Sequence, residues 1–204
     1  MNEEKLRLPR DERRATLLAA ALEVFTASGY HAAAMDEIAD QANVSKPVLY
    51  QHFPSKLDLY LAVLDIHCEY LVEAIRTAAG SSQENAERVR ATVDAYFDYI
   101  NRDGEAFRLL FESDMAVEPR VRERLSKMSY DCAQAFSQAI TTETGISQES
   151  AMMLAFGLIG TAQTTARHWL ARNEKIDRDL AVNLVASLQW RGISGFRKIT
   201  QPLN

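Results

Sequence analysis

The chain of 204 residues carries 23 Lys and Arg against 28 Asp and Glu, a formal net charge of −5. This excludes a protein that coats nucleic acid indiscriminately, because sequence-independent affinity comes from neutralised phosphates. Only 5 Pro and 8 Gly stand beside abundant Ala, Leu, Glu and Arg, a balance that suits long helices better than a sheet with many tight turns.

Helical periodicity from end to end, with neither strand-like alternation nor a solenoid repeat, predicts an all-α fold of about nine helices. The first runs from near Arg10 to Ser28, with Asp11 and Glu12 near the positive end of the dipole and Leu17, Leu18, Ala21, Leu22 and Phe25 on one stripe. Gly29 supplies its stop. A short helix turns Met35, Ile38, Ala39 and Ala42 inward, and after Asn43 a third opens near Ser45 and ends by Pro54. A long helix from Ser55 to the Gly80-Ser81-Ser82 loop, with Leu57, Leu61, Leu64, Cys68, Leu71, Val72 and Ile75 on one side, bridges two halves. Further helices are expected near 84–102, 105–115, 119–143, 147–171 and 177–195. They are separated by Asp103-Gly104, Glu118-Pro119, Gly145 and the Arg172-Asn173-Glu174 turn. The domain division that follows is 1–58 and 59–204.

The segment from Gly29 to Lys56 fits two short helices meeting across a tight turn, as in a helix-turn-helix. Asn43 tolerates the left-handed conformation the turn needs, Val44 plugs the angle between helices, and Ser45 is placed to cap the second. Pro47 falls in the first turn, where its missing N–H leaves no internal hydrogen bond unmade. Each residue advances about 100°, so Leu49 and Phe53 share one face while Pro47, Val48 and Gln51 point the other way. That outer face suits a major groove: Lys46 can donate to guanine acceptors, Gln51 can pair with adenine, and Pro47 and Val48 can touch thymine methyls. Tyr50, His52 and Lys56 then fall where phosphates run, Lys56 at the start of the long helix. The alternative is a packing unit with a solvated face, but such a face has no reason to expose Tyr50 between Lys46 and Lys56. Residues 1–60 hold seven Lys and Arg against nine Asp and Glu, so the case rests on placement and not on totals.

The run from Ile38-Ala39 through Val44-Ser45-Lys46-Pro47-Val48-Leu49-Tyr50-Gln51-His52-Phe53-Pro54-Ser55-Lys56 resembles the signature of the TetR family of bacterial transcriptional regulators. The preceding Ala20, Phe25 and Gly29-Tyr30 fit the same pattern. The resemblance covers about residues 10–60. It implies a DNA-binding three-helix domain followed by a helical domain that binds a small effector and dimerises. Members often start the second helix with Ser or Thr, which caps it and touches phosphate; here Ala33 and Ala34 occupy that stretch, which puts that contact in doubt. Lys5 and Arg7 in residues 2–9 either form an arm reaching the minor groove or belong to an idle tail.

The second half is rich in aromatic and sulfur side chains at helical spacing: Tyr96, Phe97, Phe107, Phe111, Met115, Met128, Cys132, Phe136, Met152 and Phe156. They read as an ordinary core, or, as the resemblance implies, as the walls of an effector pocket for an apolar or amphipathic molecule. Gln163, Thr164, Arg167 and His168 would orient its polar end or simply pack. The stretch from Ala151 to Gly160 is apolar all round, and Leu180, Leu184, Leu188, Val182, Val185, Ala186 and Trp190 exceed one stripe. The resemblance implies a homodimer through these two helices, bound to a palindromic operator with half-sites about one helical turn apart. The runs Leu8–Arg14 and Tyr30–Ala39 are similar to actinobacterial regulators of fatty-acid synthesis that answer to long-chain acyl-CoA. A multidrug-responsive efflux repressor, or a helical lipid-binding protein without DNA function, are the competing readings.

No H-E-x-x-H, P-loop or G-x-S-x-G is present, so neither an enzyme nor a cofactor is expected. His67, Cys68 and Glu69 are adjacent on a helix and diverge too far to share a metal. Cys68 and Cys132 lack metal spacing and read as free buried thiols. The polar N-terminus lacks a signal peptide's apolar core, and the longest nearly apolar run, Ala151–Ala162, is shorter than the roughly 20 residues that span a bilayer. A cytoplasmic protein with no membrane partner is expected.

Overall fold

A computed structural model of the chain describes residues 9–102, 108–110, 114–171 and 176–192. Among these residues there is no strand. The helices are α1 (Arg10–Ala32), α2 (Met35–Gln41), α3 (Lys46–His52), α4 (Lys56–Ala79), α5 (Asn85–Arg102), a 3-10 turn (Asp114–Val117), α6 (Pro119–Thr144), α7 (Gln148–Ala171) and α8 (Arg178–Arg191). The all-helical expectation holds. Of the helix expected at 105–115, residues 108–110 are described and are helical. Lys5, Arg7, Phe107, Phe111 and the Arg172-Asn173-Glu174 turn lie outside the described residues.

Local chemistry sets the helix ends. The helical dihedrals of α1 break at Gly29, with φ 75° and ψ 163°, a conformation that side chains beyond glycine's avoid. Asn43, at φ 52°, turns the chain from α2 into α3 as its residue type predicts. Ser45 occupies the position before α3, but its side chain makes no capping bond; its carbonyl accepts from Val48 and Leu49 instead. α4 opens with a reciprocal cap: Ser55 Oγ accepts from the Asp58 N–H at 3.1 Å and donates to the Asp58 carboxylate at 2.7 Å.

The chain forms two compact units. The first gathers the described residues up to Cys68 together with those from 108 to 125. The helix-turn-helix within it ends where α4 begins, while the unit itself continues further along α4. Leu17, Ala21, Ile38, Leu49, Leu59 and Leu64 are fully buried in its core, beside an edge-on aromatic cluster in which Phe25 and Tyr30 each sit 5.2 Å from Tyr60. Arg120 and Arg124, from the start of α6, pair with Asp58 at 3.0 Å and Asp65 at 2.6 Å on α4.

In the second unit α5 packs against α7 and α8 over Val93, Tyr96, Phe97 and Ile100. The core side of α7 is a line of Ala151, Ala155, Ala162 and Ala166, all buried. Arg178 in the first turn of α8 pairs with Asp94 of α5 at 3.0 Å, and the Trp169 indole donates to the Ile176 carbonyl at 2.7 Å. No described helix is long and apolar enough to cross a membrane.

Gly29 offers a direct test of how the first unit is built. A Cβ added there meets nothing within 4 Å, so Gly29→Ala is opposed by backbone conformation alone. We expect a loss of about 1–3 kcal/mol, read as a lower midpoint in circular-dichroism melting. An unchanged midpoint would mean that the backbone at this turn is free to relax.

Candidate nucleic-acid interface

Orientation on α3 follows from two anchors. Leu49 is fully buried and Phe53 is 2% exposed, so the opposite face must look outward. Pro47 and Gln51 are exposed, and Val48 is half-buried beside them. Tyr50 is 40% exposed and His52 half-buried on the flanks of that face. Lys46 stays exposed while its ammonium meets both oxygens of Asp36, at 2.7 and 3.0 Å. Those bonds lock α2 to α3 and raise the Lys46 pKa, the hydrogen bond being the larger cause. The start of α2 carries no side-chain cap, since Ala34 stands there.

Lys56 is placed differently from what its position in the sequence suggests. Its Nζ donates to the backbone carbonyls of Tyr30 at 2.8 Å, His31 at 3.2 Å and Ala33 at 2.9 Å, and it lies 4.7 Å from the centre of the Tyr30 ring. An ammonium has three protons, and all three are directed into the protein. The side chain thus pins the end of α1 to the beginning of α4. This bond set joins residues more than 20 apart in sequence, which is why spacing alone pointed to phosphate instead.

Three arginines at the start of α1 join this surface without any signal from the helix-turn-helix motif. The Arg14 guanidinium lies 4.6 Å from the centre of the Phe53 ring. The His52 pKa is lowered, first by burial and then by the fields of Arg10, Arg13 and Arg14. The arginines therefore gather beside the end of α3. The signal in the residues is the i, i+3, i+4 spacing of Arg10, Arg13 and Arg14.

Of the residues expected to line a pocket in the second unit, Tyr96, Phe97, Met128, Cys132 and Phe136 are buried. The Tyr96 hydroxyl is hydrogen-bonded to the Cys132 thiol, and both groups are pushed upward chiefly by burial, Cys132 to about 12. Gln163 is half-buried, while Thr164, Arg167 and His168 are exposed. Phe156 is 42% exposed: the core side of α7 is set by its alanines, and Phe156 falls well around the helix from them, so it faces away from the interior to which its aromatic character had assigned it. Phe136 lines an open groove of about 710 Å³, shared with Ala79, Val89, Ile140, Leu154 and Leu158. Phe97 lines a second groove of about 670 Å³ with His168, Trp169 and Leu184. Among the described residues no cluster of three or more His, Cys, Asp or Glu could hold a metal ion.

The Lys56 bonds lead to a measurable expectation. Lys56→Met keeps the aliphatic stem but removes the donors from three carbonyls at a helix end, and should lower stability by about 1–3 kcal/mol in chemical denaturation. A decrease within error would show that water satisfies those carbonyls equally well.

Comparison with known proteins places these features in one lineage. Residues 17–63 match the family described as "Bacterial regulatory proteins, tetR family". The chain is 48% identical over 188 residues to the HTH-type transcriptional activator FasR of Mycolicibacterium smegmatis, covering 92% of this chain and 86% of that protein. It is similar in structure to a TetR-like transcriptional regulator from Rhodococcus sp. RHA1, with TM-score 0.68 at 28% identity over 93% of this chain and 100% of that one. The fold is also that of the Bacillus subtilis regulator FadR, solved in complex with stearoyl-CoA, with TM-score 0.71 at 20% identity over 88% of this chain and 98% of that one. An all-helical chain with an outward-facing α3, matched across nearly its whole length by a regulator sharing almost half its residues, belongs to the TetR family of bacterial transcriptional regulators.

Proposed function

We propose that this protein acts in the cytoplasm as a dimer that binds palindromic operator DNA through α3 and changes its affinity when it takes up a long-chain acyl-CoA or a similarly amphipathic lipid. The observation that carries the DNA reading is the exposure of Pro47 and Gln51 opposite the buried Leu49 and Phe53. With them, Lys46 and Val48 reach base edges, and Tyr50 and His52 stand at the rim.

The effector reading rests on the relatives and on one line of side chains. The stearoyl-CoA complex of FadR points to fatty-acyl chemistry. Along α6, Phe136, Cys132 and Met128 recur every four residues and so share one face. Phe136 stands at the larger groove and the other two are buried behind it. An acyl chain entering past Phe136 would follow that face toward Tyr96, and its polar head would stay at the open rim. α4 starts beside the helix-turn-helix and ends at Ala79, which lines the same groove. A shift of α4 on filling would change the separation of two recognition helices.

The dimer reading rests on an apolar face that no monomer needs. Phe156 on α7 is 42% exposed, and Leu180 and Leu184 on α8 are 52% and 42% exposed. Gly160 on α7 leaves open space for another helix to approach.

DNA selected by the protein from a random pool should yield a two-fold symmetric site, and Tyr50→Ala should bind it at least about tenfold more weakly with its helicity intact. Stearoyl-CoA should shift the affinity of the parent but not of Cys132→Trp, in which the added ring fills the acyl path. Equal affinity with and without acyl-CoA would remove the effector reading while leaving DNA binding in place. Leu184→Arg should sediment as a monomer; a dimer of undiminished strength would place the interface elsewhere.

A further inference from the structure

The chain is acidic overall and its two most obvious phosphate ligands are missing: α2 opens on Ala34 without a capping hydroxyl, and Lys56 directs its ammonium into the protein. A protein that enters a DNA groove still has to hold the backbone, since about half or more of the hydrogen bonds to DNA go to phosphate and sugar.

We propose that Arg10, Arg13 and Arg14, on the first turns of α1, form with His52 the surface that grips the DNA phosphates flanking α3. On α1, Arg10, Arg14, Leu17 and Ala21 follow one another at i, i+4, i+7 and i+11 and so share a stripe, with Arg13 beside it. Leu17 and Ala21 are fully buried. The same face of α1 that packs in the core therefore continues beyond it as arginine, where it overhangs the end of α3. Glu12 points to the side of the helix opposite Arg10 and Arg14. Arg10 and Arg14 are exposed, and Arg14 is steadied on the Phe53 ring. His52, on a second element, feels the fields of all three guanidinium groups, after the larger effect of burial. Cations near the start of a helix oppose its dipole, so helix stability does not account for placing three within the first five residues of α1. Guanidinium groups suit phosphate because their forked donors meet two oxygens at once.

This inference rests on α3 being the groove-entering helix. The test is the salt dependence of binding, measured by fluorescence anisotropy on the selected duplex and on a scrambled duplex of equal length. Arg10 is exposed, so Arg10→Gln leaves the core intact, and Arg10→Gln/Arg14→Gln removes the second exposed guanidinium; Arg14→Lys keeps charge over Phe53. We expect the slope of log K against log salt to fall by roughly 0.9 for every phosphate that is no longer neutralised in each half-site. Affinity should drop by the same factor on both duplexes, because phosphates carry no sequence. Arg14→Lys should retain the parent slope, and so should Lys56→Met. Tight, selective binding with an unchanged slope in both glutamine variants would overturn the arginine assignment alone. A slope that falls for Lys56→Met but not for the arginines would overturn it in favour of Lys56. A parent protein that prefers neither duplex would overturn both this inference and the reading of α3.

Discussion

A helix of seven residues has barely two turns, so two buried side chains decide where all its other side chains point. Leu49 within α3 and Phe53 just past its end are those two, and every assignment at the DNA-facing surface descends from their burial. Because they insert into the core made by Leu17, Ala21, Ile38 and Leu59, the outer face is held by the packing of three other helices. The Lys46–Asp36 pair and the Asn43 turn refine its angle, but exposed ion pairs contribute little stability by themselves. Packing supplies the rigidity that an exposed two-turn helix could not generate alone.

Binding an acid polymer with an acidic protein requires that charge be sorted in space. Here the sorting occurs over a few residues: Asp36 is neutralised by Lys46, Asp58 is held in its charged form by Ser55 and Arg120, and the arginines of α1 face the end of α3. The remaining negative charge helps in its own way, since it discourages adhesion to DNA at large and leaves affinity to the sites where shape and base edges agree.

Much of this was legible in the residues. The period of Leu17, Leu18, Ala21 and Phe25, the stop at Gly29, the turn at Asn43 and the inward pair Leu49 and Phe53 are local matters, settled within a few residues by sterics and helix geometry. What escaped was non-local. Lys56 reads as a phosphate ligand until the end of α1 is seen folded back onto it. Ser45 occupies a capping position without capping, because a residue type gives a preference and the rotamer is chosen by its surroundings. Phe156 reads as core by composition, yet the alanines of α7 had already claimed the inward side. Arg10, Arg13 and Arg14 look like solvated polar residues until α3 is placed beside them.

The buried bond between Tyr96 and Cys132 carries a further implication for what kind of signal the second unit can receive. Peroxides and disulfides react with the thiolate, and a thiol pushed to about 12 is almost never ionised near neutrality. The sulfur at the heart of this unit is therefore chemically quiet, a polarizable filler and not a sensor of oxidants. On the proposed acyl-CoA reading, a signal reaches that region as the volume and shape of the ligand and not as a change of oxidation state.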